Sequence, residues 1–131
     1  MKFVDTNYFL RFFLKDVNEQ HKEAHRLFQK AALGQEKLTT SVIVFFEIYW
    51  VAESFYKLDK KTITSFLRSI LKMEFIALEN REVLTSALSL YEDTSFDLED
   101  AYNLAFATSA HAADFMTFDV KLGKKFKNIT T

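Results

Sequence analysis

The chain contains no cysteine and no proline, and only two glycines, Gly34 and Gly123, among its 131 residues. Without cysteine there is no disulfide framework, no thiolate zinc site and no Cys nucleophile. Two isolated glycines form neither a Walker A loop nor a G-x-G-x-x-G fingerprint. So few turn formers argue against an all-β sandwich or barrel and favour helices joined by short links. No apolar run reaches the roughly 18 residues of a membrane span. Neither sign of charge predominates, with 17 Lys+Arg against 18 Asp+Glu and a net charge of −1. A strongly basic nucleic-acid footprint is therefore absent overall, and any basic surface has to be local. The start, Met1-Lys2-Phe3-Val4-Asp5, places an acid where a signal peptide needs an apolar stretch, which reads as a cytoplasmic protein.

Hydrophobic residues make up 49% of the chain, and 15 residues are Phe, enough for a sizeable core. The length fits one domain, residues 1–131. Short apolar runs alternate with helical spacing. Phe3-Val4 predicts a first strand. Phe9, Leu10, Phe12 and Phe13 predict a helix over 6–14, and this aromatic stripe reads as core or interface rather than as a base-stacking platform. Asn18 is a candidate cap for a helix over 19–32, with Gly34 at its stop. Residues 37–40 predict a second strand. Ser41 is a candidate cap for a long helix through 57, and 62–72 predict another. Residues 75–78 predict a third strand, and Asn80 and Asp97 are candidate caps for helices through 92 and 113. Residues 115–118 predict a fourth strand and 128–130 a fifth. Strands alternating with helices predict an α/β domain with a parallel sheet. In such sheets ligands bind outside the carboxyl ends of strands, where Asp5 and Asp119 would fall.

Several acids occupy expensive positions. Glu47 is the only charge in VIVFFEIYWVA, residues 42–52. A helix apolar nearly all round is buried, and a buried carboxylate is costly unless it is paired or bound to metal. A solvent gap or an Arg partner would also account for it. Asp97 and Asp100 in SFDLEDAYNLA are i, i+3 neighbours on one helix surface. Asp97 is equally a good N-cap, and Asp100 suits the first turn of a helix. Asp5 and Asp119 follow apolar runs and can likewise cap the next helix. Clustered carboxylates without His or Cys are hard oxygen ligands, suited to Mg²⁺ or Mn²⁺ rather than zinc. The chemistry they predict is phosphodiester hydrolysis without a covalent intermediate. His21 and His25 are i, i+4 neighbours, but the segment is HKEAH, not H-E-x-x-H, and reads as a solvated face. Lys121, Lys124, Lys125 and Lys127 form an acid-free tail that suits either an RNA backbone or plain solvent.

The opening VDTNYFLRFFL resembles the D-T-N-x-x-L-R start of PIN-domain nucleases, in particular VapC-type toxins of toxin–antitoxin pairs. Glu47 matches the family's helix-borne glutamate, FDLEDAYNLAFA resembles its D-x-x-D-A segment, and Thr117-Phe118-Asp119 resembles its late strand-end motif. The resemblance covers essentially the whole chain, in family order. One departure is Ala112-Ala113 in place of the usual Gly-Ala before the late strand. The resemblance implies a central parallel sheet of about five strands in order 3-2-1-4-5, flanked by helices. It implies a Mg²⁺- or Mn²⁺-dependent endoribonuclease with Asp5, Glu47 and Asp100 as core acids and Asp119 as the fourth. Asp97 is then an accessory acid, and Thr6, Asn7 and Thr117 orient carboxylates or water. Arg11 and the tail residues Lys121, Lys124 and Lys125 are candidate RNA contacts. Implied partners are RNA, a cognate antitoxin and a second copy of the chain in a homodimer.

Other classes fit less well. A haloacid-dehalogenase-type phosphoesterase needs D-x-D after the first strand, and the second position here is Asn7. A receiver domain needs an acceptor Asp after the third strand, whereas that run ends at Leu78-Glu79. A non-catalytic PIN-like adaptor should have lost one or more of the acids, all of which are present. No Ser-His-Asp signature is visible.

Overall fold

A computed structural model describes residues 1–131. The chain divides into two compact units, Met1–Arg81 and Glu82–Thr131.

The first unit carries a three-stranded parallel sheet in the order β1-β2-β3, with β1 at Lys2–Phe3, β2 at Leu38–Thr40 and β3 at Ile76–Leu78. Lys2 pairs with Leu38, and Leu38 with Ile76. These are the neighbours expected for the 3-2-1 half of the predicted order. Parallel neighbours need crossover connections, and helices supply them. α1 (Thr6–Leu14) and α2 (Asn18–Ala32) lie between β1 and β2, and α3 (Val42–Ser54) and α4 (Lys60–Lys72) lie between β2 and β3. Phe9, Leu10, Leu38, Phe45, Ile48, Ile63, Leu67 and Ile76 are all at least 98% buried. Of the aromatic stripe of α1, Phe9 is core, and Phe12 and Phe13 are half-buried. Phe9 and Phe12 meet Phe28 at 5.5 and 5.1 Å, and Phe13 stacks on Phe66 at 4.7 Å.

Local chemistry sets the helix ends. Ser41 Oγ accepts from Val44 N at 3.2 Å and starts α3. Asp59 Oδ1 accepts from Thr62 N at 2.8 Å and starts α4 two residues earlier than the apolar spacing predicts. Gly34, at φ +78, stops α2 with its N–H on Ala31 O at 3.0 Å, the left-handed conformation that glycine adopts without strain. Lys57, at φ 52, sits in the same region and the chain leaves α3 before it. Asn18 is not a cap. It is the first residue of α2, and the cap position falls to Val17 with no side-chain bond. The Arg81 guanidinium donates to Leu71 O at 2.6 Å and to Ile76 O, holding the end of α4 against the start of β3.

The second unit is helical, with α5 (Arg81–Asp93, whose first residue belongs to the first unit), α6 (Leu98–Ser109) and α7 (Val120–Thr130). Leu104, Leu122 and Phe126 form one apolar cluster, extended by Phe96 and Phe115. Here the five-strand expectation departs from the observed sheet. Residues 115–118 form no ladder, and 128–130 are the end of α7. Leu122, Phe126 and Ile129 recur at i, i+4, i+7, and that helical face outweighs the short Asn-Ile-Thr run. α6 also stops at Ser109 rather than 113, with His111 at φ 58 two residues beyond. No helix is long and apolar enough to cross a membrane.

Candidate active site

In the first unit, the end of β1 positions Asp5. Val4 is buried and bonded on both sides. Its N–H donates to Thr39 O at 2.8 Å, and its carbonyl accepts from buried Thr40 Oγ1 at 2.8 Å. Asp5 then occupies the N-cap position of α1, yet its carboxylate makes no capping bond, and the residue is exposed. The capping alternative for Asp5 therefore does not hold in this structure. Next to it, Thr6 is buried and its Oγ1 has no hydrogen-bond partner. An orphaned buried hydroxyl is costly in a native fold unless something satisfies it. Asn7 is exposed. Glu47 projects from α3, which buries Val44, Phe45, Phe46, Ile48 and Tyr49. It is half-buried and makes neither a hydrogen bond nor an ion pair. An Arg partner is thus not what holds it.

In the second unit, three acids interact. Asp97 caps α6, its Oδ1 accepting from Asp100 N at 2.8 Å. Asp119 caps α7, its Oδ1 accepting from Leu122 N at 3.0 Å, while its own N–H donates to Thr117 Oγ1 at 3.0 Å. The capping alternative therefore holds for both, and each keeps a second carboxylate oxygen outside the cap. Asp100 is different. It is half-buried, and burial, followed by the charges of Asp97 and Asp119, raises its carboxyl above the ordinary aspartate value. A pKa raised by like charges marks an acid cluster of the kind found at functional sites. Thr117 is exposed and acts through the Asp119 backbone.

Arg11 is largely engaged within its own unit. It donates to Asp16 at 3.0 Å and to the Tyr56 hydroxyl at 2.5 Å, and its Nε is buried without a partner. Lys121, Lys124 and Lys127 on α7 are exposed, and Lys125 is half-buried. His21 Nδ1 lies 3.1 Å from the Phe12 carbonyl, which ties the ring to the end of α1. Two contributors escape a reading of the sequence. Thr40 reads only as the end of a strand, although it clamps the chain before Asp5. Glu99 has a buried Oε1 with no partner, and nothing in the LEDA segment separates it from an ordinary first-turn acid.

The donors are all oxygen, the set that a hard divalent cation takes. No three His, Asp or Glu side chains are placed to hold one metal ion. Magnesium is usually held through one or two carboxylates together with substrate phosphates and waters, so the donor chemistry fits that mode rather than a closed protein cage.

The PIN-domain family model matches residues 2–127, and the chain belongs to that family. PIN domains are in general nucleases, hydrolases acting on nucleic acid, and typically use divalent metals. None of the curated proteins matches the chain.

Proposed function

We propose that this protein is a Mg²⁺- or Mn²⁺-dependent endoribonuclease and the toxin of a type II toxin–antitoxin pair. Asp5, Glu47, Asp100 and Asp119 serve as its acids. The observation that carries the reading is Asp100, a half-buried carboxyl raised above its ordinary value by burial and by the charges of Asp97 and Asp119, in a chain of a nuclease family. Asp5 and Glu47 add to it, because neither carboxylate has a structural bond of its own. A bound divalent cation would supply a more acidic water and neutralise charge on the phosphate. The chain's own residues then have distinct tasks. Asp5, Glu47, Asp100 and Asp119 donate carboxylate oxygens. Asp97 adds negative charge beside Asp100 and fixes the first turn of α6. Thr6 and Asn7 follow Asp5 and orient it, and Thr117 fixes the Asp119 backbone. Lys121, Lys124 and Lys125 meet the RNA backbone, with Arg11 as a lesser contact.

The toxin assignment is supported by the VDTNYFLRFFL opening. It brings with it a cytoplasmic location, a homodimer and an antitoxin that covers the acids. Purified protein should cut single-stranded RNA with Mg²⁺ or Mn²⁺ and stop on chelation. Asp5→Ala and Asp100→Ala should each lower the rate by more than about 100-fold while leaving the fold intact. Undiminished cleavage in either variant rejects the acids. Expression alone should arrest growth, with rescue by a neighbouring gene. A harmless active nuclease rejects the toxin assignment only.

A further inference from the structure

The second unit contains a cleft of about 420 Å³ whose walls include Phe115, Met116, Phe118, Asp119, Lys124 and Lys127. This falls in the size range of small-ligand clefts, about 300–1,000 Å³. Its lining is mixed in chemistry. The apolar part is open: Met116 is 92% exposed, Val120 is 69% exposed, and Phe118 is fully exposed with no ring partner. The charged part carries Lys124 and Lys127 beside Asp114 and Asp119. A single exposed apolar residue is ordinary, but neighbouring ones in a walled cleft mark a binding surface.

The loop that presents Phe118 is fixed. Phe115 packs on Phe126 of the apolar cluster at 5.4 Å. Thr117 Oγ1 accepts from Asp119 N, and Asp119 caps α7. Thr117 Cγ2 also lies where a Cβ on Gly123 would meet it at 3.6 Å. Phe118 is therefore held outward by its neighbours rather than left without a place in the core.

We infer that this cleft is a subsite for one unstacked base of single-stranded RNA, with Phe118 as the stacking platform and Lys124 and Lys127 as phosphate contacts. An aromatic face beside a lysine row is the composition that single-stranded nucleic acid uses, bases on rings and phosphates on cations. A duplex offers no free base face, so it gains only the charge contribution. The inference rests on the nuclease reading and adds the residues that would hold one base of its substrate, and Asp119 in the same wall would bring that base beside one of the proposed acids.

The test measures binding of the full chain in chelator, where no cleavage contributes. The probes are a fluorescein-labelled oligouridylate, the same strand with abasic sites, and its duplex. Phe118→Ser should weaken oligouridylate binding by about 5- to 100-fold, leave abasic and duplex binding unchanged, and be rescued by Phe118→Trp. Lys124→Ala should weaken all three probes and lower the salt slope by about one. A 2-aminopurine base in the strand should be quenched by wild type and not by Phe118→Ser. Equal oligouridylate affinity of wild type and Phe118→Ser overturns the inference. So does a Phe118→Ser variant that sediments as a smaller species with unchanged RNA affinity, which makes the patch a protein interface. Wild type that binds through Phe118 but never cuts RNA with metal leaves this subsite standing and overturns the nuclease reading instead.

Discussion

Replacing Asp100 with Asn in the metal-free protein should make it more heat-stable at neutral pH. The substitution keeps the shape and keeps the backbone N–H that Asp97 accepts. It removes one of the charges that burial, Asp97 and Asp119 together disfavour. Helical i, i+3 neighbours lie about 5–6 Å apart, so one like-charge pair is worth about 0.7 kcal/mol at water's dielectric and about 3 kcal/mol at an effective 20. Asp100 is half-buried, which places the repulsion between those limits. Against it stands the attraction of a first-turn acid for the helix dipole, about 0.3–1 kcal/mol. Repulsion and burial win by roughly 1 kcal/mol, which raises Tm by a few degrees.

The pH dependence follows from the raised pKa. The folded protein binds the Asp100 proton more tightly than the unfolded chain does, so wild-type stability falls as pH rises through the ordinary carboxylate range to the raised value. The advantage of Asp100→Asn is full above that value and fades as pH drops toward about 4. High salt should shrink its Coulombic part. Paired melts of the two proteins in chelator, at neutral and acid pH and at low and high salt, read all of this. An Asp100→Asn protein that is no more stable than wild type at neutral pH, or that gains most in acid, refutes the clustered charge.

Further outcomes follow from single contacts. Thr40→Val leaves the Val4 carbonyl without its buried donor and should cost about 1–3 kcal/mol in chemical denaturation, with cleavage falling as Asp5 loses its clamp. Asp97→Asn keeps the cap of α6 and removes charge, whereas Asp97→Ala loses the cap and should cost about 1 kcal/mol, so the two melts should differ in that order. Asp59 is held below its ordinary value by hydrogen bonds from Thr62, side chain first and then backbone. Its contribution is therefore present above the carboxylate range and lost in acid, and the Tm gap between wild type and Asp59→Ala should narrow as pH falls.

Much of the fold is legible in the sequence because it rests on local signals. The helix over 6–14 follows from Phe9, Leu10, Phe12 and Phe13 at helical spacing and is observed as Thr6–Leu14. Ser41 and Asp97 act as the caps they resemble. Asn18 fails because Val17 already has the extended backbone of a cap position, a choice set by how the chain leaves α1. The late strands fail for a related reason. Residues 115–118 are a short, mostly apolar run, but such a run supplies no partner for the ladder, and here Met116 and Phe118 are exposed. For the acids, the sequence singles out their positions but not their bonds. Nothing in it separates Asp5, whose carboxylate caps nothing, from Asp119, which caps α7. That distinction depends on side-chain geometry at two helix starts that each follow a short apolar run.

The central claim is that Asp5 and Asp100 both serve the proposed metal-dependent cleavage, and a double-mutant cycle tests it most directly. Single-turnover cleavage of a labelled single-stranded RNA with Mg²⁺ would be timed for wild type, Asp5→Asn, Asp100→Asn and the double variant. Residues that act as a unit are non-additive, so each single change should lower the rate by more than about 100-fold and the double change should lower it little further. A single variant that cuts at the wild-type rate, or a double variant whose loss is the full product of the two, would contradict it.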